Sequence, residues 1–163
     1  MLERIVEMKP EVYFLRYAFP CSHVICKVRK EINDGEWKRM KEAAERGEAM
    51  ERKYLEKVFH RAFERIDKIA AELGKDRWNE EVIKEYFVRR HTAVVNATEH
   101  PEAFKDQCRV HIAMIKEIDD GKLLVEYEWG GEKKTRKVFG TYVPDAKPGD
   151  KVTIHYAYAV EKI

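Results

Sequence analysis

The sequence predicts an α+β fold, in which an N-terminal helical bundle is followed by a small C-terminal antiparallel β-barrel. Two observations lead to this prediction. Apolar residues recur at helical spacing up to Val95, whereas after Cys108 they alternate at the spacing of β-strands. Short strand-like runs separated by glycine-containing turns fill the rest of the chain, which is typical of OB-like barrels. His100-Pro101 marks the change, so we place a helical domain at residues 1–100 and a barrel domain at residues 107–163.

The helical part is predicted from apolar stripes and from residues that break helices. The first helical region covers Glu11–Ile32, with a kink or break at Pro20. The second is predicted as one long amphipathic helix over Glu36–Leu73, dented near its middle by Gly47. Gly74 follows at the position where a left-handed residue ends a helix. A further helix follows, and helices with such short connections form a bundle.

Four strands are predicted in the barrel, because apolar and polar residues alternate between successive turn signals. The strands are predicted at residues 110–118, 123–129, 135–142 and 151–160. The turn signals are Asp119-Asp120-Gly121, Gly130-Gly131 and the loop Pro144–Asp150. A sheet of this length has one face to bury, and closing it into a barrel provides the core.

The charge composition bears on the class of partner. The chain has 32 Lys and Arg against 30 Asp and Glu, for a formal net charge of +2. A general nucleic-acid binder usually has a clear basic excess, so the bulk charge does not favour that class. Charged residues make up 38% of the chain, which is typical of heat-adapted proteins with surface ion-pair networks.

The three cysteines and the N-terminus predict a cytoplasmic protein. Cys21, Cys26 and Cys108 are too few, and odd in number, for a secreted disulfide framework. Charges interrupt Met1–Pro10 every few residues, so this segment lacks the apolar core of a signal peptide. No apolar stretch is long enough to span a membrane, so we expect no membrane partner and thiols that are mostly reduced.

Three segments in the last third of the chain resemble a known family. A cysteine precedes a short apolar strand in CRVHIAMIKEI (residues 108–118). Two glycines join a strand to a basic strand in LLVEYEWGGEKKTRKV (residues 123–138). Pro-Gly-Asp, Val-x-x-His and an Ala-Tyr-Ala triplet follow one another in VPDAKPGDKVTIHYAYAVEKI (residues 143–163). In this order the motifs resemble those of the HypC/HupF hydrogenase-maturation chaperones, so the barrel is expected to be HypC-like.

The resemblance implies a non-catalytic accessory protein of metallocentre maturation. Proteins of that family help to mature nickel-iron hydrogenases. They use an essential cysteine to hold an iron centre with diatomic ligands or to contact the precursor enzyme, and a histidine late in the barrel is associated with the same role. Cys108 and His155 occupy the matching positions, so the resemblance implies that they form a partner-binding and iron-binding site. Iron is the one cofactor implied, and the implied partner is a maturation factor or the precursor enzyme.

Cysteines and histidines suggest further metal sites, each with a simpler alternative. Cys108 and His111 form a C-x-x-H pair that could bind a soft transition metal if Cys108 lies in a loop. The alternative is a half-buried thiol beside an ordinary histidine, because residues i and i+3 of a strand face opposite sides. Cys21 and Cys26 are five residues apart in a helical segment, and we expect them to be buried core thiols. His91 is expected to point inward from its helix.

A function of another class is suggested by basic residues on the third predicted strand. They are Lys133, Lys134, Arg136 and Lys137. On an OB-like barrel such residues could contact the phosphates of nucleic acid, in a nucleic-acid-binding or RNA-processing protein. A solvated edge strand protected by its lysines is the simpler interpretation. No phosphate-binding loop, dinucleotide-binding or hydrolase motif occurs, so the sequence does not predict an enzyme.

Overall fold

The computed structural model describes residues 8–163 and has the predicted α+β fold. Seven α-helices lie in the N-terminal part of this range. They are α1 (Pro10–Ala18), α2 (Asp34–Arg46), α3 (Arg52–Val58), α4 (His60–Leu73), α5 (Glu80–Lys84), α6 (His91–Asn96) and α7 (Glu102–Cys108). A 3-10 turn follows α1 at Phe19–Cys21, and π-helical segments cover Val24–Val28 and Glu85–Arg90. Within residues 8–163, the helices are too short or too polar to serve as membrane spans.

Five strands form a closed barrel in the order β1-β2-β3-β5-β4. The strands are β1 (Val110–Asp119), β2 (Lys122–Trp129), β3 (Glu132–Phe139), β4 (Lys151–His155) and β5 (Tyr158–Lys162). The predicted antiparallel barrel has one departure, because β3 and β5 pair in parallel through Phe139 and Tyr158. The fourth predicted strand is split into β4 and β5 by a turn. A closed ring of five strands cannot have only antiparallel neighbours, so the split makes one parallel pair unavoidable.

The long helix predicted over Glu36–Leu73 is three helices. Gly47 has a φ of 69°, a left-handed conformation that needs no Cβ, and its N–H bonds to the carbonyl of Ala43 to end α2. A second break occurs at Phe59, whose backbone leaves the helical range between α3 and α4. The predicted helix end at Gly74 is confirmed, with a φ of 62°.

The helical core is centred on an aromatic cluster around Phe14. The ring of Phe14 is fully buried, and its centroid lies 4.8 Å from Phe63, 5.5 Å from Trp78 and 5.7 Å from Phe87. Burying a side chain of this size contributes about 1.5–3 kcal/mol to stability. The barrel has its own core, which is rich in valine and isoleucine, and it includes Val125 with no exposed surface.

The helical part and the barrel meet where α1 packs on β4 and β5. The hydroxyl of Tyr17 lies 2.9 Å from Oγ1 of Thr153 and also donates to Oε2 of Glu161. Tyr13 donates to the same carboxylate oxygen at 2.6 Å. The main chain of Tyr17 accepts a hydrogen bond of 2.8 Å from the ring of His155. These contacts attach the last two strands of the barrel to the first helix of the bundle.

Glu161→Gln tests this attachment. The substitution replaces a charged acceptor of two tyrosine hydroxyls by a neutral one, so we expect the free energy of unfolding to fall by about 1–2 kcal/mol. Urea unfolding followed by circular dichroism measures the change. Glu117→Gln, at an exposed position of β1, is the matched control and should unfold like the wild type. An unchanged midpoint for Glu161→Gln would show that the carboxylate contributes nothing to the junction.

Candidate functional site

The thiol of Cys108 lies at the junction of the helical part and the barrel. Cys108 is the last residue of α7, two residues before β1 begins, and its side chain is half-buried. Its Sγ lies 3.0 Å from the hydroxyl of Tyr156. Its carbonyl oxygen accepts a hydrogen bond of 3.1 Å from Nε2 of His91. Both the side chain and the main chain of Cys108 are therefore held by neighbouring elements.

Tyr156 reaches the thiol because the turn between β4 and β5 has an unusual backbone. The φ of Tyr156 is 53°, in the left-handed region that an aromatic residue rarely adopts. This conformation costs about 1–3 kcal/mol of stability. Two main-chain hydrogen bonds hold this conformation. The N–H of Tyr156 donates to the carbonyl of Gln107 at 3.0 Å, and its carbonyl accepts from Nη1 of Arg136 at 3.1 Å. The turn is thus tied to α7, and the phenol is aimed at Cys108.

His155 is close to this site in the chain, but its ring is fully buried. A carbonyl can only accept, so the nitrogen that bonds to Tyr17 is protonated Nδ1. Its Nε2 is buried and has no hydrogen-bond partner among residues 8–163. Next to it lies the ring of His91, 5.3 Å away between centroids, whose Nδ1 is buried and also unpartnered within the described range. The inward orientation expected for His91 agrees with this position.

Burial keeps both imidazoles neutral at physiological pH. Burial, together with the neighbouring His91, lowers the pKa of His155 to about 3. It also lowers the pKa of His91 to about 4, against the opposing effect of the hydrogen bond to Cys108. Of the two predicted site residues, Cys108 thus has a partially accessible thiol, while His155 anchors the β4–β5 turn to α1. Sequence reasoning missed Tyr156, which stands beside His155 in the same motif and contacts the thiol.

The three thiols have different electrostatic surroundings. Burial raises the pKa of Cys108, while the hydrogen bond with Tyr156 and the charge of Arg109 act in the opposite direction. Burial raises the pKa of Cys21 to about 12, and the nearby thiol of Cys108 adds to the effect. Burial and then the carboxylate of Asp34 raise the pKa of Cys26. The pKa of all three thiols is raised overall, and Cys108 is the one at which a neighbouring hydroxyl opposes the effect of burial.

His111 belongs to a different cluster, centred on Asp106. Its Nε2 lies 3.2 Å from both the carboxylate and the carbonyl oxygen of Asp106, and its ring stacks on Tyr127 with centroids 4.4 Å apart. Burial alone would raise the pKa of Asp106, but the hydrogen bond from Tyr127 and the charge of Arg136 outweigh it and lower the pKa. The cluster is an ion-paired support for the end of α7.

The four basic residues of β3 do not share one face. Arg136 is largely buried, donates to the Asp106 carboxylate at 3.0 Å and also bonds to the Tyr127 hydroxyl. Lys134 is on the same side of the strand, 3.9 Å from Asp106. Lys133 and Lys137 are exposed on the opposite side, and Lys133 stands opposite Glu128 on β2. Within residues 8–163, Lys133 and Lys137 are thus the two of these four cations that form no ion pair and are exposed.

No group of three or more histidine, cysteine, aspartate or glutamate side chains in residues 8–163 is arranged to hold a metal ion. Cys108 and His111 take part in separate contacts, with Tyr156 and Asp106 respectively. Comparison of the sequence with models of known protein families and with curated proteins found no match. The candidate site accordingly depends on its own geometry.

The two buried histidines predict acid sensitivity. The unfolded chain takes up protons near the ordinary histidine pKa of 6.5, whereas folded His155 and His91 do so only near 3 and 4. Above pH 6.5 these two histidines therefore cost no stability. Below pH 6.5 the free energy of unfolding falls by about 1.4 kcal/mol per pH unit for each histidine.

Urea unfolding between pH 6.5 and about 5, above the range in which most carboxylates titrate, measures this slope. His155→Asn keeps a donor for the Tyr17 carbonyl and removes the titration, so we expect its slope to be smaller by that amount. His100→Asn, at an exposed position, should keep the slope of the wild type. A His155→Asn slope equal to that of the wild type would contradict the assignment.

Proposed function

We propose that this protein is a non-catalytic accessory protein of metallocentre maturation, similar in its barrel to the HypC/HupF chaperones. In this proposal it binds a protein partner through Cys108. One observation supports it above the others. The 3.0 Å contact between Cys108 and Tyr156 joins residues 108–118 to residues 143–163, which are two of the three segments that carry the family resemblance. Two of the three segments that resemble the family thus meet at the Cys108 thiol.

The surroundings of Cys108 suit a thiol that binds rather than one that is structural. A structural thiol is fully buried in apolar surroundings, whereas Cys108 is half-buried and lies beside a phenolic hydroxyl. The Tyr156 hydroxyl can donate to the thiolate, and Arg109 adds a favourable charge. A thiolate is also a soft ligand suited to iron. His155 serves as a positioning residue, because its hydrogen bond to Tyr17 holds the turn that carries Tyr156.

Iron enters this proposal as cargo. Since no three side-chain donors meet in the described part of the chain, the other ligands of such an iron would come from the partner or from the cargo itself. The nucleic-acid alternative is supported less well, because Arg136 and Lys134 are committed to Asp106.

The proposal predicts that Cys108 is the most reactive thiol and is needed for partner binding. Burial raises the pKa of Cys21 to about 12, so almost none of this thiol is ionised at neutral pH. We therefore expect Cys108 to be alkylated by iodoacetamide about tenfold or more faster than Cys21 or Cys26, as measured by mass spectrometry of peptides.

Binding is measured by co-elution, without air, with a nickel-iron hydrogenase precursor from the same organism. Cys108→Ser should abolish co-elution while leaving the melting temperature close to that of the wild type. Cys21 lines the same cavity as Cys108, so Cys21→Ser is the matched control and should still bind. Two results would contradict the proposal: a Cys108→Ser protein that co-elutes normally, or a wild-type protein that does not co-elute.

A further inference from the structure

A cavity of about 220 Å³ lies beside the candidate site, between the helices and the end of α7. It opens to the surface, since exposed residues such as Arg29, Arg65 and His100 form part of its lining. Its apolar walls are contributed by Val24, Ile25, Val58, Phe59, Ala62 and Val94, among others. An engineered apolar cavity of about 150 Å³ is known to bind benzene, so this one can hold a group the size of an aromatic ring.

The charge around the cavity is one-sided. Three arginines, Arg29, Arg61 and Arg65, line it, and none of its described lining residues is acidic. Arg61 is paired with Glu31 at 2.7 Å. Arg29 and Arg65 form no ion pair with any carboxylate of residues 8–163, although Arg65 donates to the Arg61 carbonyl. Two guanidinium groups near an apolar cavity are thus left without an anion, and a guanidinium is well suited to bind a carboxylate by two parallel hydrogen bonds.

We propose that this cavity binds a small carboxylic acid with a ring-sized apolar body. The carboxylate is held at the mouth by Arg65 and Arg29, and the apolar body fills the cavity. The inference goes beyond the proposed function and does not depend on it, since the arginines and the apolar walls define the site without the Cys108 thiol.

Isothermal titration calorimetry of the full chain with the three hydroxybenzoate isomers tests the inference. The matching hydroxybenzamides have the same ring and hydroxyl but no charge. We expect at least one hydroxybenzoate to bind with one-to-one stoichiometry, and its amide to bind about tenfold or more weakly, because a charge-assisted hydrogen bond is lost.

Two substitutions locate the binding. Arg65→Gln, at an exposed position, should weaken the binding of the hydroxybenzoate about tenfold. Arg89→Gln removes the same charge from a residue that is 75% exposed and does not line the cavity, and should leave the affinity unchanged. Ala62→Leu should abolish binding by filling the cavity, and Arg65→Gln decides the matter if that variant does not fold.

Three results would overturn the inference. They are the absence of binding at millimolar hydroxybenzoate, equal affinity for acid and amide, and an affinity unaffected by Arg65→Gln. The proposed function would survive any of them, because its test measures partner binding through Cys108.

Discussion

The packing of α1 on β4 and β5 positions the turn between these strands, on which the candidate site depends. Tyr17 contributes twice to this packing, since its side chain bonds to Thr153 and Glu161 and its carbonyl accepts from His155. Because the β4–β5 turn begins directly after His155, this buried hydrogen bond also sets where Tyr156 lies. Tyr156 in turn sets the environment of Cys108. The barrel supplies the turn, but the helical part holds it in place, and neither alone would create the site.

The same junction explains why three chemically identical thiols differ. All three cysteines lie in helical segments close to the core, and burial raises the pKa of each. Only at Cys108 do both a neighbouring hydroxyl and a guanidinium oppose the effect. The junction also leaves polar groups without partners in the described residues, namely Nε2 of His155 and Nδ1 of His91. Buried polar groups without a hydrogen-bond partner are rare in folded proteins.

Much of the fold could be predicted from the sequence, because the change in apolar period and the turn residues are local signals. Gly74 ends its helix, as the residue type predicts. Gly47 also ends a helix, but the sequence predicted only a dent there, because a single glycine can be tolerated inside a helix. The parallel strand pair could not be predicted, since it follows from a turn at Tyr156 that no glycine or proline marks. For the site, the family resemblance pointed to Cys108, but the contact of its thiol with Tyr156 depends on tertiary packing that sequence spacing does not encode.

The central claim is that the junction sets the chemistry of the Cys108 thiol through Tyr156. The most direct test is the pKa of Cys108, measured from the pH dependence of its alkylation in the wild type and in Tyr156→Phe. The substitution keeps the ring and removes the hydroxyl that lowers this pKa. We predict a higher pKa and slower alkylation at neutral pH in Tyr156→Phe. An identical pH profile in the two proteins would contradict the claim, and Cys108 would then be an ordinary thiol near the surface of the junction.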